Sequence, residues 1–589
     1  MRKPYLLVIS IALVLMLPAL LFAQEAIDRT SFRILEHNDS YIDIEFQTPQ
    51  WKLETESRGN QTVSKVVIPG ANYLFIDEEE TLPIFSTAIA IPYTGGAELR
   101  VEEQQQSTRS GLQMSFQTAL AEASSQGRLN ATTYPESSVL ISEPKIIRDY
   151  RIVTINVMPF QYNRTSGSLT VNESMRIRVN LGGRSSVNEM EAPTQFSSSF
   201  EKIYRGLILN YDQVAGRTGT FTNPTLLVVY GYSTDSVYLG KVAEYISWKR
   251  QKGFNVNSYM APSSSTSSDA IKTYIQNQYN NASTRPDYIV LIGDVGTTVN
   301  IPTFSSYVDY QYTLLAGNDN LGDVVIGRIS IESADQLNTY VSKLMAYEKD
   351  LDVSAADWLN RMLLVGDTAS SGISTIYTNE YVHDVSYYVN PNYTYTEVYN
   401  GSPSSTTINA AINQGVSFYN YRGYIGMSGW PSSMSSMYNT NKMFHAVFIT
   451  CNTGTFGGST STTEQVVRYG TAASKSGAIT AIGMATSSTH TPMNNCLNVG
   501  IFHGIYPLEM RDMGEAMLYG KLYLNLVYGV SNPTQAVNFS QYCNLMGDPT
   551  ASVYVGVPAT FNVTAPSTYL AGSSTMEVLV RDNSNAMVE

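Results

Sequence analysis

TLLVVYG, residues 225–231, is a continuous apolar run, and SVYLGKVAEYISWKRQKG, residues 236–253, follows it with apolar residues spaced as on one face of a helix. The alternation continues with FNVNSYMA (254–261), SSDAIKTYIQNQYN (267–280) and DYIVLIGD (287–294). Apolar strands that alternate with amphipathic helices are typical of a parallel sheet covered on both faces. The stretch therefore predicts an α/β fold.

A second α/β segment follows the charged, helix-like stretch near residue 340. We predict two consecutive parallel-sheet subdomains, 222–350 and 351–556, that together form one unit of catalytic size. The strand-like runs of the second subdomain are NRMLLVGD (360–367), YTEVYN (395–400), VSFYNYRGY (416–424), HAVFITCN (445–452) and SGAITAIGM (476–484).

The first third of the chain has a different pattern. Residues 24–200 contain short alternating runs separated by turn residues, which predicts an all-β module. Residues 1–23 have a basic start and an apolar core, as in a cleaved secretory signal peptide, so we expect a secreted or cell-surface protein. Residues 201–221 are predicted to be a linker, and Arg217 within them is a candidate processing site.

Residues 557–589 have the pattern of the first strands of an immunoglobulin-like β-sandwich. Such a sandwich usually needs about 100 residues. We therefore expect this C-terminal domain to be incomplete in the sequence.

Composition excludes several classes of function. The 589-residue chain has a net charge of −13 and scattered basic residues, which argues against a nucleic-acid partner. Its five histidines and three cysteines lack the spacing of a zinc site, and the sequence contains no HExxH, GxSxG, phosphate-loop or dinucleotide motif. We expect catalysis to need no cofactor.

Cys451 is the best candidate for a nucleophile. It ends an apolar strand-like run and precedes the small-residue loop NTGTFGG, residues 452–458. Ligands of open parallel sheets bind outside the carboxyl ends of the strands, where Asp294, Asp367 and Tyr424 are also predicted to lie. Free backbone N–H groups in the loop would be suited to hold an oxyanion. Glycines that only permit a tight turn explain the loop equally well.

A thiol nucleophile needs a base or an electropositive neighbour, and the five histidines differ as candidates. His37 lies in the β module, and His445 opens the strand that ends at the thiol, roughly 20 Å away at about 3.3 Å per residue. His383 and His503 fall in helix-like segments, where surface or core roles are usual. His490 follows the neighbouring strand and is therefore the best candidate base.

Five motifs in this order resemble the gingipain-type cysteine peptidases of bacteria, over roughly residues 200–556. They are GDVVIGRISIESADQL (322–337), NYRGY (420–424), FITCNTG (448–454), GAITAIG (477–483) and NLMGDPT (544–550). The resemblance implies a caspase-like fold of two α/β subdomains followed by an immunoglobulin-like domain. It implies that the preceding β module is a propeptide.

The resemblance also carries expectations for the site and its partners. It makes Cys451 the nucleophile and Asp323 the acid that orients the catalytic histidine. Protein or peptide substrates are implied, with the chain's own propeptide as an intramolecular inhibitor.

The sequence departs from the family at the histidine. That residue usually precedes a glycine after an Asn-Tyr strand, and here Tyr424 stands in its place, with Gly426 one residue further along. A phenol with a pKa of about 10 is a poor base for a thiol of about 8.5. Either the base has moved to His490, or the site binds without cutting. Gly423 and Gly426 are candidate oxyanion or substrate-backbone contacts, and Tyr424 is a candidate hydrogen-bond donor to the substrate.

Three functions remain open. The favoured one is a secreted cysteine endopeptidase, made as a zymogen, that hydrolyses peptide bonds through a Cys451 thiolate and an acyl-enzyme. The second is a non-catalytic surface-binding protein on the same scaffold. The third is a sortase-like transpeptidase of the type IX secretion system, which would have outer-membrane secretion machinery as its partner.

Two smaller features give further expectations. Cys496 and Cys543 could form a disulfide in an exported protein, or remain as two buried thiols. The segment GNDNLGD, residues 317–323, places Asp319 and Asp323 in a turn. Because members of the family that the chain resembles hold structural calcium, these two carboxylates are candidate calcium ligands, although their spacing matches no established calcium loop.

Overall fold

The computed structural model describes residues 31–588 apart from short internal segments. The segments outside the description are residues 59, 78, 184, 216–219, 305–307, 370–371, 400–402, 431–435, 489, 569–571 and 573–574. The predicted signal peptide, residues 1–23, and the candidate processing site Arg217 therefore lie outside the described residues.

The N-terminal part is strand-rich, as predicted. Its helix α1 spans Gln117–Ser125. Its strands are β1 (Phe32–His37), β2 (Tyr41–Gln47), β3 (Lys52–Arg58), β4 (Gln61–Val67), β5 (Asn72–Ile76), β6 (Glu79–Ala90), β7 (Gly96–Arg109), β8 (Thr133–Tyr134), β9 (Val139–Ile141), β10 (Lys145–Ile147), β11 (Tyr150–Val157), β12 (Phe160–Asn163) and β13 (Ser168–Gly182).

These strands form two main sheets and a hairpin. One sheet has the order β1-β2-β13-β12-β8 with β7 also beside β13, the other has the order β10-β11-β6-β5 with β9 beside β11, and β3 pairs with β4. Antiparallel pairing of β2 with β13 sets Ile44 opposite Ile177, and both are fully buried. Alternating apolar residues therefore face a core inside this strand-rich module, residues 31–182.

The α/β unit follows after the parallel pair β14 (Gln195–Ser197) and β15 (Thr220–Thr222). Its strands are β16 (Thr225–Tyr230), β17 (Asn255–Met260), β18 (Tyr288–Ile292), β19 (Val325–Ile329), β20 (Arg361–Gly366), β21 (Thr394–Val398), β22 (Phe418–Ile425), β23 (Phe444–Cys451), β24 (Ala478–Met484) and β25 (Cys543–Gly547). The helices after α1 are α2 (Glu201–Leu207), α3 (Tyr211–Val214), α4 (Ser236–Gln251), α5 (Ser268–Asn280), α6 (Ala334–Glu348), α7 (Ser374–Val389), α8 (Ser405–Gln414), α9 (Thr462–Arg468), α10 (Thr491–Ile505), α11 (Met513–Tyr528) and α12 (Pro533–Tyr542).

The ten strands β16 to β25 form one sheet, in the order β17-β16-β18-β19-β25-β24-β23-β22-β20-β21. The first five strands in this order are parallel to one another, and so are the last five. The two halves meet where β25 runs antiparallel to β24. The strands within 222–350 are parallel, as predicted, but β25 of the predicted second subdomain runs antiparallel to the other strands of 351–556 and joins the first half, and all ten strands share a single sheet.

This junction decides which strand ends lie together. The amino ends of β18, β19 and β25 lie at the same end of the sheet as the carboxyl ends of β22, β23 and β24, because Met484 pairs with Cys543 and Arg328 with Met546. We call this the Cys451 end of the sheet. Asp294, which follows β18, lies at the opposite end, so the prediction that it shares an end with Cys451 is wrong.

Local signals explain where the helices begin. Asp235 caps α4, since its carboxylate accepts a hydrogen bond from the amide of Val237 at 2.8 Å. Ser461 and Glu464 form a capping box at the start of α9. All residues of β18, YIVLI, and of β23 are buried. This is expected for a sheet that is covered by helices on both faces.

The segment predicted as a linker, 201–221, is largely helical. Its helices α2 and α3 bury Tyr204 and Tyr211, and the Tyr204 hydroxyl donates to Asp149 at 2.8 Å. The linker prediction is therefore wrong for residues 201–214, because their apolar side chains join the main core.

The C-terminal residues contain one antiparallel pair among those described, β26 (Asn562–Thr564) with β27 (Leu579–Arg581). The immunoglobulin-like domain predicted for 557–589 stays a prediction. Within the described ranges, no helix has the length and apolar character needed to cross a bilayer.

Arg148 links the strand-rich module to the α/β unit. It is buried, and its guanidinium lies 2.8 Å from the carboxylate of Asp287. The same group donates to the carbonyls of Pro286 and Asp323 at 2.7 and 3.0 Å. The guanidinium of the strand-rich module thus pairs with a buried carboxylate of the α/β unit and with two of its carbonyls, at the starts of β18 and β19.

Arg148→Met is expected to loosen this contact. It leaves Asp287 as a buried carboxylate without its cation, a loss of about 3–5 kcal/mol. Hydrogen–deuterium exchange should therefore rise in residues 286–288 and 313–323.

Arg151→Met is the matched control. Arg151 is another buried arginine, and its guanidinium donates to the carbonyls of Pro92 and Val187. We expect its exchange to rise around those two residues instead. The same increase at 313–323 in both variants would contradict a specific docking role for Arg148.

Candidate active site

Cys451 is the last residue of β23, and its side chain is only 2% exposed. The next residue, Asn452, has φ of +61°, a left-handed conformation that turns the chain out of the strand. The Asn452 amide donates to the carbonyl of Thr486 at 2.8 Å, and the Gly426 amide donates to the carbonyl of Cys451 at 2.9 Å. The turn is thus held between the chain segments that follow β22 and β24.

The loop after Cys451 is packed tightly. The amide of Gly454 donates to the carbonyl of Met484 at 3.1 Å, and a Cβ on Gly454 would lie 2.6 Å from the backbone of Gly483. The prediction of free N–H groups is therefore wrong for Asn452 and Gly454, whose amides are hydrogen-bonded. For Gly454, close backbone packing explains the glycine.

Arg422 lies beside the thiol's strand. It pairs in register with Ile449, two residues before Cys451, and one guanidinium nitrogen donates to the Ile449 carbonyl. Another nitrogen donates to the side-chain oxygen of Asn495 on α10 at 2.5 Å. Burial lowers the pKa of Arg422 to about 9, which leaves it charged at neutral pH, and the nearby Cys451 acts against that shift.

Asp367 and Tyr421 tie the ends of β20 and β22 together. The Tyr421 hydroxyl donates to Asp367 at 3.1 Å and accepts from the amide of Ser428 at 2.8 Å. The Asp367 amide donates to the Arg422 carbonyl at 2.9 Å. Burial raises the pKa of Tyr421 to about 12, so this phenol stays protonated at neutral pH.

Tyr424 is half exposed at the end of β22, and the next residue, Ile425, pairs with Cys451. Its phenol is therefore on the solvent side of the thiol's strand. Gly426 has φ of +62°, and a Cβ on Gly423 would lie 2.8 Å from the Tyr421 ring. Both glycines are needed by the backbone, and their contact with a substrate stays a prediction.

His490 is in the N-cap position of α10, at the Cys451 end of the sheet. Its Nε2 accepts from the amide nitrogen of Gln535 at 2.9 Å. Its ring lies 6.1 Å from that of Phe539 and 6.3 Å from that of Phe75, measured between centroids. Phe75 belongs to the strand-rich module, so these contacts hold the candidate base against that module, beside a cavity of about 500 Å³.

Structural contacts account for other histidines. His445 is buried and hydrogen-bonds the Thr480 hydroxyl at 2.7 Å, and burial lowers its pKa to about 4. It is the second residue of β23, which confirms that it lies at the far end of the thiol's strand. His503 bonds the Tyr381 hydroxyl at 3.0 Å.

Asp323 does not lie beside Cys451. The strands β25 and β24 separate β19 from β23, which places Asp323 roughly 14 Å away at about 4.8 Å per strand. Its buried carboxylate accepts from the amides of Leu315, Ala316 and Arg148. In this structure the carboxylate serves the contact with the strand-rich module, and its predicted role in orienting a base stays a prediction.

Asp319 is engaged in the same contact. Its carboxylate accepts from the amide of Ile146 at 2.8 Å, from the side chain of Asn188 and from the amide of Leu321. Within the described part of the chain, no cluster of three or more His, Cys, Asp or Glu side chains fits a metal ion. Calcium binding by Asp319 and Asp323 stays a prediction, and both carboxylates already accept hydrogen bonds.

The three cysteines, Cys451, Cys496 and Cys543, are buried and form no disulfide with one another. Cys496 and Cys543 could have formed a disulfide or remained as two buried thiols, and the structure shows two buried thiols. Burial raises the pKa of both, that of Cys543 to about 11, so neither is suited to act as a nucleophile at neutral pH.

The comparison with protein families assigns both parts of the chain. The model described as peptidase family C25 matches residues 220–554, and the model of its propeptide matches residues 25–218. The chain belongs to peptidase family C25. Its strand-rich N-terminal part is the family's propeptide, and its α/β unit is the peptidase part.

Gingipains of Porphyromonas gingivalis are among the relatives. Gingipain R2 is 24% identical over 467 residues, which cover 76% of this chain and 62% of that protein. Lys-gingipain W83 is 25% identical over 474 residues, 74% of this chain and 27% of that protein. The chain thus spans less than two thirds of the length of these relatives.

Solved structures agree on the fold. The crystal structure of the Arg-specific cysteine proteinase gingipain R has a TM-score of 0.54 at 21% identity, covering 62% of this chain and 89% of its own. The complex of the pro- and mature domains of the Porphyromonas gingivalis proteinase RgpB also gives 0.54, at 20% identity, with 62% and 91% covered. The identity with gingipains confirms the resemblance seen in the motifs.

Sequence reasoning missed Arg422, which lies beside the thiol's strand, and its partner Asn495. The motif NYRGY contains Arg422 two residues before the tyrosine that stands in place of a histidine. An arginine inside an otherwise apolar, buried strand was the available signal, because such a charge is rare without a partner. Asn495 carried no signal, since its contact depends on how α10 packs.

Stability is expected to fall as pH rises through the titration of Asp323. Burial raises the pKa of this carboxyl from 3.8 to about 7. Its stabilising contribution is therefore present below about pH 4 and is lost as pH rises through about 7. Relative to Asp323→Asn, the wild-type protein should lose up to about 2 kcal/mol of unfolding free energy between pH 5 and 8, measured by denaturant titration.

Asp43→Asn supplies the control for this pH dependence. Hydrogen bonds from Arg178, with help from Arg176, lower the pKa of Asp43 to about 2. The contribution of Asp43 to the unfolding free energy is lost only in acid. Between pH 5 and 8, the unfolding free energy of Asp43→Asn should therefore change with pH as that of the wild-type protein does. If the unfolding free energy of Asp323→Asn changes with pH as that of the wild-type protein does, Asp323 does not titrate between pH 5 and 8.

Proposed function

We propose that this chain is a secreted cysteine endopeptidase made as a zymogen, in which Cys451 attacks the peptide carbonyl. The observation that carries the proposal is the place of Cys451 at the carboxyl end of a central strand, within the part that matches family C25. Strand ends of this kind are where open parallel sheets bind their ligands. Secretion rests on the signal-like residues 1–23 alone.

The reaction follows from a thiolate at this position. The Cys451 sulfur forms a bond to the carbonyl carbon, and the C–N bond breaks as the leaving amine takes a proton. Water then attacks the acyl-enzyme, gives up a proton and releases the carboxylate product with the free thiolate. His490 is the residue we propose for both proton transfers, since imidazole can donate and accept near neutral pH.

Latency is part of the proposal. Cys451 is almost fully buried, so a substrate carbonyl needs a rearrangement around it before attack. The propeptide residue Phe75 lies against the His490 ring. Removal of the propeptide would expose this imidazole and would free it to turn toward the thiol.

Tyr424 in place of the family histidine favours one other candidate, a binding protein that does not cut. In that case the thiol would be inert and the site would only hold peptides. A transpeptidase would use the same acyl-enzyme but transfer the acyl group to an amine. Product analysis separates all three functions.

Cys451→Ala is expected to abolish peptide hydrolysis by the processed protein. Cys496→Ala, which removes a buried thiol on α10, should keep the wild-type rate. Mass spectrometry of products, with and without an added amine, gives the readout. Absence of cleavage in the wild-type protein would favour the binding function, and ligated product would favour the transpeptidase.

His490→Ala should lower kcat of the processed protein by about 10²–10⁴-fold, because it removes the proposed acid and base. His503→Ala is the control, since His503 lies on the same helix and bonds Tyr381. Steady-state kinetics against pH test the assignment. An unchanged kcat in His490→Ala would exclude this histidine from catalysis.

A further inference from the structure

Among the described residues, no carboxylate forms an ion pair with the buried charge of Arg422. The residue has no exposed surface, and its guanidinium donates to the Ile449 carbonyl and to the neutral amide oxygen of Asn495. Among the residues the structure describes, its Nε has no hydrogen-bond partner. Buried charges are normally paired, since removing an ion from water is costly unless an opposite charge lies close by.

Two other buried arginines, Arg328 and Arg148, have carboxylate partners, whereas Arg151 donates to the backbone carbonyls of Pro92 and Val187. Arg328 donates to both oxygens of Asp309 at 2.7 and 2.8 Å, and Arg148 lies 2.8 Å from Asp287. At Arg422 the corresponding place is taken by Asn495, which accepts a hydrogen bond without neutralising the charge. The positive charge is therefore left available to another group.

The strand geometry places that charge on the same face of the sheet as the thiol. Side chains of a strand alternate between faces, so Ile449 and Cys451 share one face of β23. Arg422 lies on that same face, because it pairs with Ile449 in register and contacts α10, which covers the face. The group that opposes the burial shift of the Arg422 pKa most strongly is Cys451.

A row of buried amides fixes the neighbouring strand. Asn420, two residues before Arg422 on the same face, exchanges hydrogen bonds with Asn498 of α10 and donates to the side-chain oxygen of Asn379 on α7. These contacts hold β22 and α10 in one register. Arg422 is thus placed by its surroundings and has little freedom to move away from β23.

We propose that Arg422 holds Cys451 as a thiolate and so supplies the electropositive neighbour that the family's histidine would otherwise provide. The thiol proton passes to bulk water, the guanidinium keeps its own protons, and no other group changes. Arg422 acts through Cys451 and is a positioning residue. The meaning for catalysis rests on the proposed function, whereas the ion pair itself rests on the geometry.

The ion pair would divide the chemistry between two residues. A thiolate formed in advance needs no base to remove its proton, so Tyr424 is not required to replace imidazole there. His490 would then serve only the leaving amine and the attacking water. A site that has Arg422 but lacks a working His490 would form an acyl-enzyme slowly. Its Cys451 thiolate would still react with a thiol-directed alkylating reagent.

The test measures the thiolate without any substrate. Ultraviolet thiolate absorbance of the full chain is recorded against pH, and the spectrum of Cys451→Ser in the same background is subtracted. Cys496 and Cys543 stay protonated at neutral pH, because burial raises the pKa of both. We expect a Cys451-dependent signal at pH 7 in the wild-type protein and a loss of about ten-fold in Arg422→Met.

Three variants separate charge from structure. Arg422→Lys keeps a cation and should restore part of the signal, and Arg328→Met, which removes a carboxylate-paired buried arginine, should leave the signal unchanged. Asn495→Asp brings a carboxylate onto the guanidinium and should lower the signal without shortening any side chain. This last variant decides the question if circular dichroism shows that Arg422→Met does not fold.

The outcomes differ from those of the proposed function. A wild-type protein without thiolate signal at pH 7, or full signal in folded Arg422→Met or Asn495→Asp, would overturn the ion pair. A clear signal that depends on Arg422, in a processed protein that cleaves no peptide, would uphold the ion pair and refute the peptidase. Parallel alkylation of Cys451 with iodoacetamide should follow the same order of variants.

Discussion

The antiparallel junction between β24 and β25 is the constraint on which the rest of the structure depends. It joins two parallel half-sheets head to tail, so that the starts of β18 and β19 lie at the same end as the finish of β22, β23 and β24. The propeptide docks on the first set of strand ends, through Arg148, and the thiol lies at the second. One end of one sheet therefore holds both the propeptide contact and the Cys451 thiol.

Much of this fold was predictable, because its signals are local. Continuous apolar runs marked β16, β18, β20, β23 and β24, and helical spacing marked the helices between them. The junction was not predictable, since β25 is a five-residue strand whose partners lie more than 50 residues away in sequence. The linker error has a similar cause: α2 and α3 are short, and only tertiary packing of Tyr204 shows that they belong to the core.

The site was predicted unevenly for the same physical reason. Cys451 could be identified from its position at the end of a strand. The role of Asp323 depended on which strand ends share a side of the sheet and how many strands lie between them, and sequence does not contain that distance. Arg422 was visible as a charge in a buried strand, but its meaning depends on Asn495 being a neutral neighbour. The end of a strand could thus be read from sequence, as for Cys451, but which strand ends lie together could not, as Asp294 at the opposite end of the sheet shows.

A buried guanidinium and a buried thiolate would stabilise each other. Desolvation disfavours an isolated guanidinium and also an isolated thiolate, but the low dielectric that penalises each one strengthens their attraction. A peptide arriving at the Cys451 end would meet a nucleophile that is already charged, while His490, the proposed proton donor, lies against Phe75 of the propeptide. The charge would be fixed by the fold, and the proton donor would be controlled by the propeptide. Under the proposed function, such a division would let the chain fold with its thiolate formed and still remain inactive, because acyl transfer to water would need both groups.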